Sequence, residues 1–193
     1  MVEILLYLLV IIIFFLDVYL FLKYTEYFYC AFVIKQPPNV TSSKWMMLKV
    51  VEQINTYYSG AKSICDIGSG FGYMARFVAK HTKANVVGLE NVGFSAFVSN
   101  ILNMFCFGKV KTIKCDAYEY LAKTKKVFDV GIAYLGPLEV QNLKKYKQKM
   151  RVLICLDFEI KDLKPVRIID VGHGCTRFNY KKYPHKLFIY KFK

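Results

Sequence analysis

The chain opens on an unbroken apolar run, Ile4 to Leu22, in which Asp17 is the only charge. A helix needs about 20 mostly apolar residues to cross a bilayer, so this run has the length of a span. It is apolar all round, unlike the one-sided stripe of a helix lying on a core. No Lys or Arg precedes it, and Tyr24 to Tyr29 holds no A-x-A pattern, which argues against a cleaved signal peptide. We expect residues 1–34 to form a retained transmembrane anchor. Tyr19, Tyr24, Tyr27 and Tyr29 suit the headgroup layer, and Asp17 is placed to reach the interface or Lys23.

Lys35-Gln36-Pro37-Pro38-Asn39 breaks any helix and marks a linker, so residues 35–193 are expected to form a second domain. Thr41-Ser42-Ser43 can cap a helix over Lys44–Tyr58, whose apolar face reads Trp45, Leu48, Val51, Ile54 or Met47, Val51, Ile54, Tyr58. Trp45 is expected in the core. Strand and helix patterns then alternate. Strands are expected at Ser63–Ile67, Asn85–Glu90, Val110–Cys115, Val127–Tyr134 and Val152–Phe158. Helices are expected at Tyr73–Lys80, Phe94–Phe105 and Leu138–Lys149, and a closing hairpin at Val166–Val171 and Lys186–Phe192. This order predicts an α/β fold: a doubly wound, mostly parallel, Rossmann-like sheet with an antiparallel C-terminal edge.

Composition adds compartment and partners to that picture. The 193 residues carry a net charge of +14, nearly all of it after the apolar run. Positive residues beside a span tend to stay inside, so the domain is expected on the cytoplasmic side, or the matrix side in an organelle. A basic surface attracts anionic lipid, an acidic substrate or nucleic acid, or is simply solvated. The six cysteines form no C-x-x-C and cluster with no His, which disfavours zinc. Cys65, Cys115 and Cys155 fall within strand patterns, as small buried hydrophobes do, and a reducing compartment follows.

The chemistry-bearing segment is Ser63-Ile64-Cys65-Asp66-Ile67-Gly68-Ser69-Gly70-Phe71-Gly72. A strand runs into D-x-G-x-G-x-G and then a helix. Glycines there let the backbone turn tightly and let a ligand approach the main chain. The dinucleotide pattern would need glycine at position 73, where Tyr73 stands, and the Asp66 carboxylate would repel a pyrophosphate while suiting an ammonium and a sulfonium. Glu90 ends the next strand about 20 residues on, where an acid can accept from both ribose hydroxyls. Asp116 ends the third, where it can accept from an adenine amino group. Each of these acids is also a plausible turn former or cap on its own.

Together, Asp66 to Gly72, Glu90 and Asp116 resemble the cofactor motifs of class I S-adenosylmethionine-dependent methyltransferases. The whole chain is similar to the small membrane-anchored protein-lysine methyltransferases that modify the ATP synthase c subunit or the adenine nucleotide carrier. The similarity runs through Pro37-Pro38-Asn39-Val40-Thr41-Ser42, Asp66-Ile67-Gly68-Ser69-Gly70, Gly88-Leu89-Glu90-Asn91-Val92-Gly93-Phe94 to Ser99, and Phe128-Asp129-Val130 to Tyr134-Leu135-Gly136-Pro137. Departures are Phe71 and Tyr73 around Gly72, Gly136 in place of a leucine, and Glu139 displaced from the position after the proline. The resemblance implies S-adenosyl-L-methionine as cofactor, held by Asp66, Gly68, Ser69, Gly70, Gly72, Glu90, Asn91 and Asp116. It implies a protein substrate associated with the bilayer that holds the N-terminal helix. Tyr134, Leu135, Gly136 and Pro137 are the expected acceptor loop. Three readings remain open: lysine methylation of a membrane-associated protein, methylation of a nucleic acid or small molecule, and a non-catalytic cofactor-binding module. Nucleic acid is disfavoured because no [DN]-P-P-[FY] follows the fourth strand. His81, His173 and His185 are scattered, and no general base is expected among them.

Overall fold

The computed structural model describes residues 2–28, 42–106, 108–173 and 184–192. The chain divides into two compact units, Met1–Val40 and Thr41–Lys193. The first holds one helix, α1 (Val2–Phe28), whose Ile4–Phe21 stretch is long and apolar enough to cross a membrane. The expected linker at residues 35–39 and domain boundary at residue 34 lie outside the described residues, as do Tyr29, Cys30 and Cys175 and the side chains of Lys23 and Tyr27.

The second unit contains α2 (Lys44–Tyr57), β1 (Ser63–Ile67), α3 (Tyr73–His81), β2 (Asn85–Glu90), α4 (Gly93–Asn103), β3 (Val110–Lys114), α5 (Ala117–Lys123), β4 (Phe128–Ala133), β5 (Met150–Leu156), β6 (Arg167–His173) and β7 (Pro184–Lys191). The seven strands form one sheet in the order β3-β2-β1-β4-β5-β7-β6. β3, β2, β1, β4 and β5 are parallel, and β7 lies antiparallel between β5 and β6. The parallel strands read as apolar runs because helices cover both faces. The strand order reverses between β1 and β4, and in open α/β sheets ligands bind outside the carboxyl ends at such a point.

Two apolar layers sandwich the sheet. On one side α2 and α3 set Met46, Val50, Ile54, Met74 and Val78 against Ile64, Val130, Ile132 and Ile154. On the other, Leu121 of α5 joins Val140, Leu143 and Ile160 over Cys65, Ile67, Phe128, Leu153 and Tyr190. Ser43 caps α2 by accepting the Met46 amide at 3.3 Å. The helix buries Met46, Val50, Val51, Gln53 and Ile54, a face rotated from the expected one. Trp45, expected in the core, is 69% exposed, because burying Met46 and Val50 turns position 45 outward.

Residues 139–149, expected as an α-helix, form 3-10 turns with a kink at Tyr146. Val140, Leu143 and Tyr146 recur every three residues and pack in the same layer, which is the period of a 3-10 helix. An α-helix would also stack Lys145 on Lys149, a like-charge pair. The short α5 was not expected from the pattern. Cys115, read as the last residue of a strand, lies just past β3 and is only partly buried, while Cys65 and Cys155 are buried as expected.

Candidate functional site

β1 delivers its carboxyl end into the glycine turn. Gly68, Gly70 and Gly72 all adopt positive φ, at 74°, 54° and 73°. Gly72 must also lack a side chain, since a Cβ there would lie 2.3 Å from Ser99 Oγ of α4. The turn is hung on β2: the Gly68 and Ser69 amides both donate to the Leu89 carbonyl, at 2.9 and 3.0 Å. Phe71, which departs from the family pattern, is buried edge-on against Phe94 with ring centroids 6.3 Å apart.

Asp66 sits beneath this turn, 4% exposed. The Ala75 amide bonds its carboxyl, yet Oδ2 is buried without a hydrogen-bond partner among the described residues. Burial pushes its pKa up to about 7, with the neighbouring Glu90 carboxylate adding to the rise. The Ser69 hydroxyl is likewise buried and unpartnered. A buried polar atom left bare is costly, so such atoms at a turn open to main-chain approach mark a place for a ligand.

Glu90, at the tip of β2, is buried and turned back onto the chain. Its Oε2 accepts the Gly70 amide at 2.7 Å and its Oε1 the Val92 amide at 2.7 Å. It therefore clamps the glycine turn to the start of α4. Asn91 beside it is exposed. Asp116 follows β3 and caps α5: its Oδ1 accepts the Tyr118 and Glu119 amides at 2.8 and 2.9 Å. It is exposed, and the cap leaves Oδ2 outside these two bonds. A hollow of about 360 Å³ beside it is lined by Cys115, Glu119, Tyr120 and Lys123. The three acids thus stand at the carboxyl tips of adjacent strands, with Glu90 linked directly to the glycine turn and Asp116 at the outer edge.

The expected acceptor loop leaves β4 next to β1. Leu135 rests on Gly68, where a Cβ would approach its Cδ2 to 2.7 Å. Gly136 is overlaid by Glu139, and the Pro137 carbonyl accepts from Gln141 Nε2 at 3.1 Å. Tyr134 hydrogen-bonds Asp157, and burial raises its hydroxyl pKa. This connects to a cluster that the sequence reading did not assemble. Asp157, just past β5 with φ of 66°, meets His185 Nδ1 at 2.9 Å, and His185 Nε2 is buried without a partner among the described residues. A carboxylate only accepts, so Nδ1 donates in this contact. An acid at a strand end was the signal used for Glu90 and Asp116, and it applies equally to Asp157. Nothing local pairs it with a histidine 28 residues away.

No family model and no curated protein matches the sequence. Solved structures do resemble it. An RNA methyltransferase from Salinibacter ruber, determined with S-adenosyl-L-homocysteine, superposes with a TM-score of 0.64 at 17% identity, over 79% of this chain and 94% of that one. TrmK of M. capricolum, with S-adenosyl-homocysteine, gives 0.57 at 15% identity over 78% of this chain and 69% of its own. An O-methyltransferase from Bacillus cereus gives 0.54 at 15% identity over 70% and 73%. With its strand order, antiparallel β7 and acid-tipped glycine turn, the second unit has the Rossmann-like fold of the class I S-adenosylmethionine-dependent methyltransferases.

Proposed function

We propose that the chain binds S-adenosyl-L-methionine across the tips of β1, β2 and β3 and methylates lysine side chains of a membrane or membrane-associated protein. The observation that carries the cofactor assignment is the bare Asp66 Oδ2, buried under a glycine turn and beside a second carboxylate. Two acids in so dry a place favour a cationic ligand. Asp66 would face its ammonium, Glu90 its ribose hydroxyls, and Asp116 its adenine amino group. Bound there, the cofactor supplies a methyl group on a sulfonium, open to in-line attack. The chain's part is to position the acceptor and exclude water. A lysine acceptor must lose a proton from a pKa of about 10.4, and a slot beside Tyr134 and Leu135, partly desolvated and near a cation, lowers that value.

The lysine acceptor rests on the resemblance of the β2 and β4 segments to that enzyme group, together with the span-length α1. The domain would then work on the cytoplasmic face, or the matrix face of an organelle. A second reading, an RNA acceptor, is favoured by the net charge of +14 and by the similarity to the Salinibacter ruber fold over most of its length. Calorimetry with the cofactor tests the first step. Wild type should bind and release a proton at pH 6 as Asp66 ionises, whereas Asp66→Asn should bind poorly and release none. Labelling membranes with tritiated cofactor tests the second. Label in protein, recovered as methyl-lysine after hydrolysis, supports the proposal, and label removed by nuclease supports RNA.

A further inference from the structure

α4 is built inside out. Surface helices turn their apolar stripe to the core, but α4 buries Ser95, Ala96, Ser99 and Asn103. Its aromatic side faces solvent: Phe97 is 64% exposed, Ile101 46%, and Met104 and Phe105, in the 3-10 turn that follows, 78% each. Phe94 at 36% starts the same stripe. The helix cannot roll to hide it. Ser99 Oγ meets Thr112 Oγ1 at 2.7 Å, Asn103 Nδ2 donates to that oxygen at 3.1 Å, and the Asn100 side chain bonds both main-chain groups of Thr112 at 2.8 and 3.0 Å. Rolling would strip these partners from buried polar groups, so the aromatic stripe is the fixed outer face.

The surroundings define what that face fits. β3, against which α4 packs, is the edge strand, and Lys109, Lys111 and Lys114 are exposed along it. No Asp or Glu occurs from Asn91 to Cys115. An apolar stripe on an acid-free segment, beside exposed lysines, matches acyl chains beneath anionic headgroups. Pairing with a second copy through a two-fold contact would set lysine rims of equal sign against each other. We propose that α4 and Met104–Phe105 lie in the headgroup–acyl boundary of an anionic bilayer. This rests on the reading of α1 as a span, which would keep the domain near the surface. Because α4 begins at the Glu90–Val92 clamp, docking it would hold the cofactor end of the sheet close to membrane-borne acceptors.

The chain has a single tryptophan, Trp45, so a Trp45→Phe background accepts one reporter at a time. The full chain, in vesicles containing anionic lipids brominated along their tails, would carry either Phe97→Trp or Ile168→Trp. Ile168 is exposed on β6, at the opposite end of the sheet. The expected result is a shorter-wavelength emission and bromine quenching for Phe97→Trp, weaker in neutral lipid, with neither effect for Ile168→Trp. Equal quenching at both positions, or none at either, overturns the proposal. So does a shifted Phe97→Trp emission indifferent to bromine, which would mean that α1 or a second copy covers the stripe. Carbonate washing separates the two readings. Release of a chain whose Phe97→Trp was quenched refutes the span and keeps the docking helix, whereas retention with an unquenched reporter refutes the docking helix alone.

Discussion

α3 and α4 both start at the glycine turn and its clamp, yet they are held by different physics. α3 turns Met74, Ala75, Val78 and Ala79 into the core and leaves Lys80 and His81 at its exposed end. α4 turns hydroxyls and an amide inward and shows its aromatics outside. α3 is stabilised by apolar area removed from water, which is tolerant of direction. α4 is located by directed hydrogen bonds to one residue, Thr112, and by the Arg76 Nη1 bond to Asn103 Oδ1 at 3.3 Å. The same amphipathic pattern thus serves two ends: packing where the apolar side is inward, and presentation of a surface where it is outward.

A charge placed in each helix should distinguish the two most strongly. Val78→Asp buries a lone charge and should cost more than about 4 kcal/mol, whereas Phe97→Asp, at an exposed position, should stay within about 0.5 kcal/mol. Urea unfolding of the detergent-solubilised chain, followed by near-ultraviolet dichroism, gives both values; similar losses would mean that α4 is packed like α3. Next comes the clamp. Glu90→Ala strands the Gly70 and Val92 amides, at about 1–3 kcal/mol for each buried group, and should abolish cofactor binding in calorimetry. Thr112→Val removes the shared partner of Ser99 and Asn103 at a cost of about 1–3 kcal/mol. Hydrogen exchange should then quicken across residues 93–103 and leave 73–81 protected.

A separate effect is a pH slope beneath α3. Folded Asp66 keeps its proton to about pH 7, while the unfolded carboxyl releases it near the ordinary 3.8. Between these values the unfolded chain binds fewer protons, so the stability contributed by Asp66 falls as pH rises from about 4 to about 7. Asp66→Asn should flatten that part of the stability profile, and an unchanged slope would place the buried charge elsewhere.

Much of the sheet was legible because its signals are local. Ser63–Ile67 and Asn85–Glu90 are short apolar runs closed by turn residues, and the strands take those bounds. The glycine turn was legible because three of its positions need a backbone that only glycine adopts easily. Asp116 was readable as ligand or as cap, and the structure shows the cap. α5 escaped notice because seven residues are too few for a helical period to declare itself.

By itself the sequence determined the kind of each long element except residues 139–149, the strand tips that carry acids, and the apolar stretch of α1, since period, charge and backbone freedom are properties of neighbouring residues. Tertiary structure alone decided which way α4 faces, that Glu90 reaches back to Gly70, that Trp45 lies outside, and that Asp157 meets His185. Polar residues at 99 and 103 signal solvent until a threonine on the neighbouring strand offers them better partners. Pairings of that kind depend on which strands become neighbours, and only the assembled sheet determines that.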